Sequence, residues 1–165
     1  MSIGDVIAEV RNEKGMTQKE LADVLHFDRS FIAKVESGDR NWPEAHDAKL
    51  AGVSWKAALT IADERSGGYI SNILLDNPDI DLHPAALKDV LLRQMREGMV
   101  ALEELQMARH IDPARRRESA EKTYSEMLDI EEFCSVMRGV LEEEFGLDRK
   151  QLMDKHALEV KRGER

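Results

Sequence analysis

The sequence predicts an all-α protein, with a five-helix N-terminal domain followed by a hairpin or bundle of long helices. Apolar side chains recur at spacings of three and four residues both before residue 67 and after residue 83. Helix-capping residues stand at the starts of several of these segments. With 42% apolar and 35% charged residues, the 165-residue chain can bury a core as two small units. We therefore expect domains at residues 1–66 and 84–165, joined by a linker at 67–83.

The first helix is expected from about Ile3 to Lys14. Its apolar residues recur at the spacing i, i+3, i+4 and i+7, which places them on one face: Ile3, Val6, Ile7 and Val10. This face closes the core beneath the helices that follow.

A second helix is expected to begin at Thr17. The Thr17 hydroxyl can cap the helix while the side chain of Glu20 reaches back to the Thr17 amide, which is the capping-box arrangement. Three apolar residues of this helix recur at helical spacing and are expected in the core: Leu21, Val24 and Leu25.

A third helix follows a turn at His26 and Phe27. Asp28 is a good N-cap residue, and Gly38 stands where a left-handed residue can end the helix. Helical spacing directs Ile32 and Val35 inward and leaves four residues facing outward: Arg29, Ser30, Ala33 and Lys34.

The second and third helices together resemble the helix-turn-helix of the lambda repressor and Cro type, also called the xenobiotic-response-element family. The resemblance covers about the first 65 residues, and the family pattern is met by Thr17-Gln18, by Leu21-Ala22 and by the run from Ile32 to Gly38. The usual glycine of the turn is His26 here, so a left-handed backbone at that position would carry mild strain. The resemblance also implies an ion pair between Arg11 and Glu36.

This resemblance implies binding to double-stranded DNA, with the third helix reading sequence in the major groove. Its outward residues Arg29, Ser30 and Lys34 would address base edges, and an arginine in the first turn suits a bidentate contact with guanine. Four residues are expected at the DNA backbone: Gln18, Lys19, Arg40 and Asn41. The alternative is that these side chains form an ordinary solvated face.

The net charge of −9 is unusual for a DNA-binding protein, because affinity for DNA depends largely on neutralising phosphates. Residues 1–65 carry 9 basic and 12 acidic side chains, so the N-terminal domain is not basic either. DNA contact would therefore depend on local clustering of cations, with weak non-specific binding and a modest dependence on salt.

Two more helices are expected to complete the N-terminal domain. After a turn at residues 41–43, a fourth helix is predicted over about Glu44 to Ala51. Ser54 can cap a fifth helix, whose inner side would carry Trp55, Ala58, Leu59 and Ala62. Trp42 and Trp55 are expected in the core, because stacking on bases suits single strands rather than duplex DNA. The predicted linker then starts at Gly67-Gly68 and is apolar enough for part of it to dock on a domain.

The C-terminal half predicts two long helices, from about Pro84 to His110 and from about Ala114 to Phe145, and a short last helix from about Arg149 to Glu159. The first has an apolar stripe of Leu87, Leu91, Met95, Gly98, Leu102 and Leu105. The second has two stripes, one of them made of Ala120, Met127, Ile130, Cys134, Met137 and Leu141. A helix that is apolar on two sides needs more than one neighbour, which indicates a homodimer formed through these helices.

An enzymatic alternative comes from the pattern Glu126-x-x-Asp129 and the segment that follows Phe145, which are similar to the end of MazG-like nucleotide pyrophosphohydrolases. Such enzymes hold magnesium between carboxylates from two helices. Glu132 shares the face of this pair, but the candidates on the preceding helix lack a paired spacing: Glu97, Glu103 and Glu104. A solvated acidic stripe is therefore the favoured interpretation, and we expect no metal site.

No other site chemistry is indicated. Cys134 is the one cysteine, so neither an intrachain disulfide nor a zinc cluster is expected, and its position favours a buried small side chain. The five histidines are scattered, which leaves no catalytic constellation and no cofactor to expect. The three consecutive arginines at residues 115–117 are interpreted as surface side chains. The first 15 residues have no unbroken apolar run, so we expect a cytoplasmic protein without a signal peptide or membrane anchor.

The function expected from these features is that of a sequence-specific transcriptional regulator, a phage or mobile-element repressor that binds an inverted repeat as a dimer. One alternative is a two-domain autorepressor of the anti-CRISPR kind, whose C-terminal domain inhibits a protein target. The other is a relic of the pyrophosphohydrolase fold. No particular effector molecule is indicated.

Overall fold

The computed structural model describes residues 2–164, and every regular element in that range is a helix, which confirms the predicted all-α class. The chain divides into two compact units between Ile80 and Asp81. The first unit contains α1 Ile3–Glu13, α2 Gln18–Leu25, α3 Arg29–Glu36, a 3₁₀ turn at Glu44–His46, α4 Asp47–Val53, α5 Trp55–Ser66 and α6 Ile73–Asp76. The second contains α7 Pro84–Glu103, α8 Pro113–Phe145 and α9 Arg149–Lys161.

Side-chain caps begin the first two helices. The Ser2 hydroxyl accepts a hydrogen bond from the Asp5 amide, and the Ser2 amide donates to the Asp5 carboxylate, which is a capping box that the sequence analysis missed. The predicted box at α2 is present, with the Thr17 amide donating to Glu20 at 2.7 Å. Asp28 occupies the N-cap position of α3, but its side chain makes no capping hydrogen bond.

The core of the first unit is built from the inner faces of five helices. The predicted face of α1 is buried, and it packs with Leu21, Leu25, Ile32, Val35, Leu50, Ala57 and Ile61. Both tryptophans are buried as predicted, with 5% of Trp42 and 7% of Trp55 exposed. This core fixes the orientation of α2 and α3 relative to α1.

Two predictions about this core are wrong. Val24 is 50% exposed, because Leu21, Ala22 and Leu25 already fill the side of α2 that faces the core. The inner side of α5 carries Trp55, Ala57, Thr60 and Ile61, whereas the expected Ala58, Leu59 and Ala62 are only half-buried. The fourth predicted helix is also divided, into a 3₁₀ turn and α4.

The segment that follows α5 packs on the first unit. Gly67 adopts the left-handed conformation that ends α5, and Asn72 is only 4% exposed. The side-chain nitrogen of Asn72 donates to the Thr60 hydroxyl at 3.1 Å, while its side-chain oxygen accepts from the Leu74 backbone amide at the start of α6. Burial of this hydrogen-bonded pair attaches residues 70–76, which the sequence places in the linker, to α5.

The second unit is an antiparallel hairpin of α7 and α8. The Thr123 hydroxyl on α8 donates to the Ala101 carbonyl on α7 at 3.0 Å. Further along, Gly98 allows a close approach of the two helices, because a Cβ at Gly98 would lie 2.5 Å from Cδ1 of Ile130.

The predicted extent of α7 is wrong, since the helix ends at Glu103 rather than near His110. The chain needs residues 104–112 to turn back, and the Gln106 amide in this loop donates to the Ser119 hydroxyl of α8 at 3.2 Å. Burial follows the predicted stripes only in part: Met95 and Leu102 on α7 and Ala120 on α8 are exposed, whereas Val136 and Val140, on the second predicted stripe of α8, are buried. The last helix, α9, buries none of its residues.

Candidate nucleic-acid interface

The two faces of α3 differ sharply in burial. Ile32 is fully buried and Val35 is 2% exposed, so the inner face is held in the core. Arg29, Ser30 and Lys34 are exposed, as the sequence predicts for residues that could reach a ligand. The helix therefore presents two cations and a hydroxyl on a rigidly supported surface.

The turn between α2 and α3 depends on an unusual backbone at His26. Its φ of 59° is left-handed, and no other non-glycine residue in the range 2–164 has a positive φ. This conformation lets the Phe27 amide reach back to the Ala22 carbonyl at 2.8 Å. The structure thus places the left-handed residue where the family pattern has glycine, and the strain expected for histidine is present.

A charged network joins α1, α2 and the end of α3. Glu36 accepts from Nε of Arg11 at 2.7 Å and from the side-chain amide of Gln18 at 2.9 Å. Arg11 also donates to the Met16 carbonyl, and the hydrogen bond with Glu36 raises the pKa of the Arg11 guanidinium. The ion pair that the resemblance implies is therefore formed. One N–H group of the Gln18 side-chain amide donates to Glu36, and the amide has a second N–H group that can donate.

An aromatic cluster supports the chain that leaves α3. The rings of Phe27 and Phe31 stack with centroids 4.5 Å apart, and Trp42 meets Phe27 edge-on at 5.5 Å. The guanidinium of Arg40 lies 4.7 Å from the centre of the Phe31 ring, and its backbone amide donates to the Lys34 carbonyl. Arg40 is therefore held beside the outward face of α3.

An open cleft of about 560 Å³ runs along this cluster. Of the seven residues predicted at DNA, it brings together Ser30, Lys34 and Arg40. Arg29 lies outside the lining of the cleft on the exposed first turn of α3, and Lys19 and Asn41 are exposed without lining it. The predicted residues thus form a surface around α3 rather than a single pocket.

Residues 7–51 match a family model described as Helix-turn-helix. This segment is a helix-turn-helix. It is of the lambda-repressor type that the sequence resembles, and proteins with this domain are DNA-binding regulators. The match covers 45 of the 165 residues, so it describes the first unit and not α7 to α9. No curated protein and no solved structure matches the chain.

Two residues next to the helix-turn-helix were missed by the sequence analysis. His46 packs on Phe27 with ring centroids 4.7 Å apart and lines the cleft. The ammonium of Lys49 lies 4.7 Å from the Phe27 ring and donates to the Leu25 carbonyl at the end of α2, where a cation is favourable. In the sequence, the signal that could have identified them is their spacing of three residues across the start of α4.

The acidic residues of the second unit are interleaved with cations. Glu97 and Glu126 line one cleft of about 260 Å³ together with Arg96 and Lys122. A hydrogen bond with Glu104 at 2.8 Å raises the pKa of Lys122, and Glu126 adds to the effect. Within residues 2–164, no three His, Cys, Asp or Glu side chains converge in a way that could hold a metal ion. Nor does any helix in that range combine the length and apolar character that a membrane span requires.

Proposed function

We propose that this protein is a sequence-specific transcriptional repressor that binds an inverted-repeat operator as a dimer. The observation that carries the proposal is the exposed face of α3, with Arg29, Ser30 and Lys34 on a helix whose opposite side is buried in a helix-turn-helix domain. A repressor of this kind acts by covering a promoter, and the phage or mobile-element type fits the family. We propose a cytoplasmic location and no catalytic role or cofactor.

In this proposal, the first turn of α3 reads bases in the major groove. Arg29 is exposed and can make a bidentate contact with guanine O6 and N7, and such a contact discriminates by about 1–3 kcal/mol against the wrong base. Ser30 and Lys34 face the same groove, and each can contact more than one kind of base. Specificity then rests on a few side chains placed by the core.

The remaining predicted residues position the protein on the DNA backbone. Gln18 begins α2, where backbone amides favour a phosphate, and its anchoring to Glu36 holds it in one place. Arg40, stacked on Phe31, offers a positioned cation at the far end of α3. Lys19 and Asn41 complete this set as exposed flanking contacts.

Dimerisation follows from the weak electrostatics of the first unit. With 9 basic and 12 acidic side chains in residues 1–65, a single copy has little non-specific attraction to DNA. Two copies can read two half-sites about 34–36 Å apart, which multiplies a modest affinity. We assign the pairing to the C-terminal helices. No contact within the described range favours the protein-inhibitor or pyrophosphohydrolase alternatives.

Footprinting of the purified protein on the DNA upstream of its own gene tests the proposal, with the mass in solution measured in parallel. We expect protection of an inverted repeat by a dimer. Protection with no sequence preference, or none at concentrations where the protein is dimeric, would contradict it.

A further inference from the structure

A second apolar stripe on α7 lies beside the one that faces α8. Leu92, Met95, Met99 and Leu102 follow one another at spacings of three, four and three residues. Their exposed fractions are 42%, 39%, 60% and 51%, in contrast to Leu87 and Ala101 of the same helix, which are buried. At about 100° per residue, the four side chains occupy one narrow band along the helix. We call this band the α7 seam.

The second unit needs more apolar burial than its hairpin supplies. Among its described residues, the buried hydrophobic side chains are Leu87, Ala101, Val136 and Val140. The first unit buries more than three times as many in a stretch of similar length. A two-helix hairpin with so small a core requires a further apolar partner to be stable.

The α7 seam has the same residues in either direction. Read forwards or backwards, it is Leu, two residues, Met, three residues, Met, two residues, Leu. An antiparallel copy centred on the midpoint therefore places leucine against leucine and methionine against methionine. A closed two-fold interface has this property, because the same surface must complement itself. Spacings of three and four over three turns are also those by which paired helices interlock.

We propose that two copies of this chain pair through their α7 seams, antiparallel about a two-fold axis, so that Leu92 of each copy packs on Leu102 of the other. The proposal rests on the dimer of the proposed function and identifies its surface. The seam carries no charge, which suits burial against an identical uncharged surface. It differs from the sequence-based expectation that the spare apolar face lies on α8.

A charge exchange in the full-length protein tests the pairing. Leu92→Lys and Leu102→Glu should each raise the dimer dissociation constant by at least about 100-fold, because each buries an unpaired charge against leucine. The double variant should return to within about 10-fold of the wild type, since each introduced lysine then faces an introduced glutamate. Ten residues separate the two positions along the helix, about 15 Å, which is too far for an ion pair within one chain.

Val100→Glu is the matched control. Val100 is 48% exposed on the same helix but lies off the seam, so this variant should remain a dimer. Light scattering over a concentration series gives the dissociation constants, and circular dichroism checks that helix content is retained. The wild type should have the mass of two 18.8 kDa chains.

Three outcomes would overturn the seam proposal: a monomeric wild type, single variants that stay dimeric, or a double variant that is not rescued. A double variant that is not rescued would indicate a parallel arrangement, in which lysine faces lysine and glutamate faces glutamate. Footprinting separates a failure of the seam from a failure of the proposed function. If the wild type protects an inverted repeat while the single variants remain dimers, the seam alone is contradicted.

Discussion

At the scale of single residues, the helix-turn-helix is held by short polar contacts at the ends of its helices. Glu36 at the end of α3 bonds to Arg11 on α1 and to Gln18 on α2, and only 9% of its side chain is exposed. Glu20 closes the capping box of α2 through Thr17. These contacts place the start of α2 and the outward face of α3 in a fixed relation, which the proposed recognition of DNA requires.

The capping box predicts a specific dependence of stability on acid. Hydrogen bonds from the backbone and hydroxyl of Thr17 lower the pKa of Glu20 below its usual 4.5. A lowered folded-state pKa stabilises the fold above the unfolded-state value, and this contribution is lost as the pH falls through the folded-state pKa. The stability advantage of the wild type over Glu20→Gln should therefore shrink as the pH falls below about 4.5.

Urea unfolding of both proteins at several pH values, followed by tryptophan fluorescence, measures this difference. Both tryptophans lie in the first unit, so the signal reports the unit that contains Glu20. Unfolding midpoints that decrease in parallel for the two proteins over the same pH range would show that Glu20 does not act as a cap.

The exposed face of α3 predicts different effects for base and backbone residues. Arg29→Ala should weaken operator binding by about 5- to 150-fold and leave binding to unrelated DNA nearly unchanged. Gln18→Ala should weaken both by a similar factor, because the backbone contact proposed for Gln18 carries no sequence information. Fluorescence anisotropy with operator and scrambled duplexes at one salt concentration measures both.

Arg109→Ala is the control for this pair, since it removes the same charge from an exposed position in the second unit. It should leave both affinities within about twofold of the wild type, as expected for a remote surface charge. An equal loss for Arg29→Ala on operator and scrambled DNA would remove Arg29 from the base-reading set.

At the scale of helices, close packing between α1 and α3 decides the position of α3, the helix proposed to read DNA. Gly4 on α1 lies against the carbonyl of Val35 on α3, and a Cβ at Gly4 would overlap that backbone oxygen. A backbone neighbour cannot rotate away as a side chain can, so the helices would have to separate. The absence of a side chain at Gly4 therefore sets the distance between the two helices.

Gly4→Ala should destabilise the first unit by about 1–3 kcal/mol, because it overpacks this contact. Gly52→Ala is the matched control, since Gly52 lies in α4 with open space around its Cβ position, and it should be neutral or stabilising by up to about 1 kcal/mol. Urea unfolding monitored by tryptophan fluorescence gives both values. Equal effects of the two substitutions would mean that the packing of α1 against α3 accommodates a methyl group at position 4.

At the scale of the whole molecule, the proposed function requires two copies of α3 at a defined separation. In the proposed dimer, the symmetry of the operator follows from the two-fold symmetry of the protein. Inserting about five base pairs between the half-sites rotates one of them to the opposite side of the duplex. Affinity should then fall by at least about tenfold, whereas an insertion of about ten base pairs should be tolerated better.

Electrophoretic mobility shifts on the original operator and on the two operators with insertions measure how affinity depends on half-site spacing. A binding constant that does not change with half-site spacing would indicate that each copy binds alone, or that the two reading domains are flexibly joined. Either result would contradict a dimer with a fixed separation of its reading helices.

Local sequence features predicted much of the first unit. The box at Thr17, the inward positions of Ile32 and Val35 and the left-handed His26 all depend on residues within one or two turns of each other. The prediction failed where burial depends on distant elements. Thr60 is buried where Asn72 of the following segment donates to it, and Val24 is exposed because Leu21, Ala22 and Leu25 already fill the side of α2 that faces the core.

The sequence by itself determined the helix-turn-helix, because capping, periodicity and a recognisable pattern are local properties of the chain. The tertiary structure alone decided how its surfaces are used: which cations surround α3, how Glu36 anchors Gln18, and which apolar stripe α8 leaves uncovered on α7. The physical reason is that burial and exposure depend on the neighbours of a helix, and helical spacing alone does not specify those neighbours.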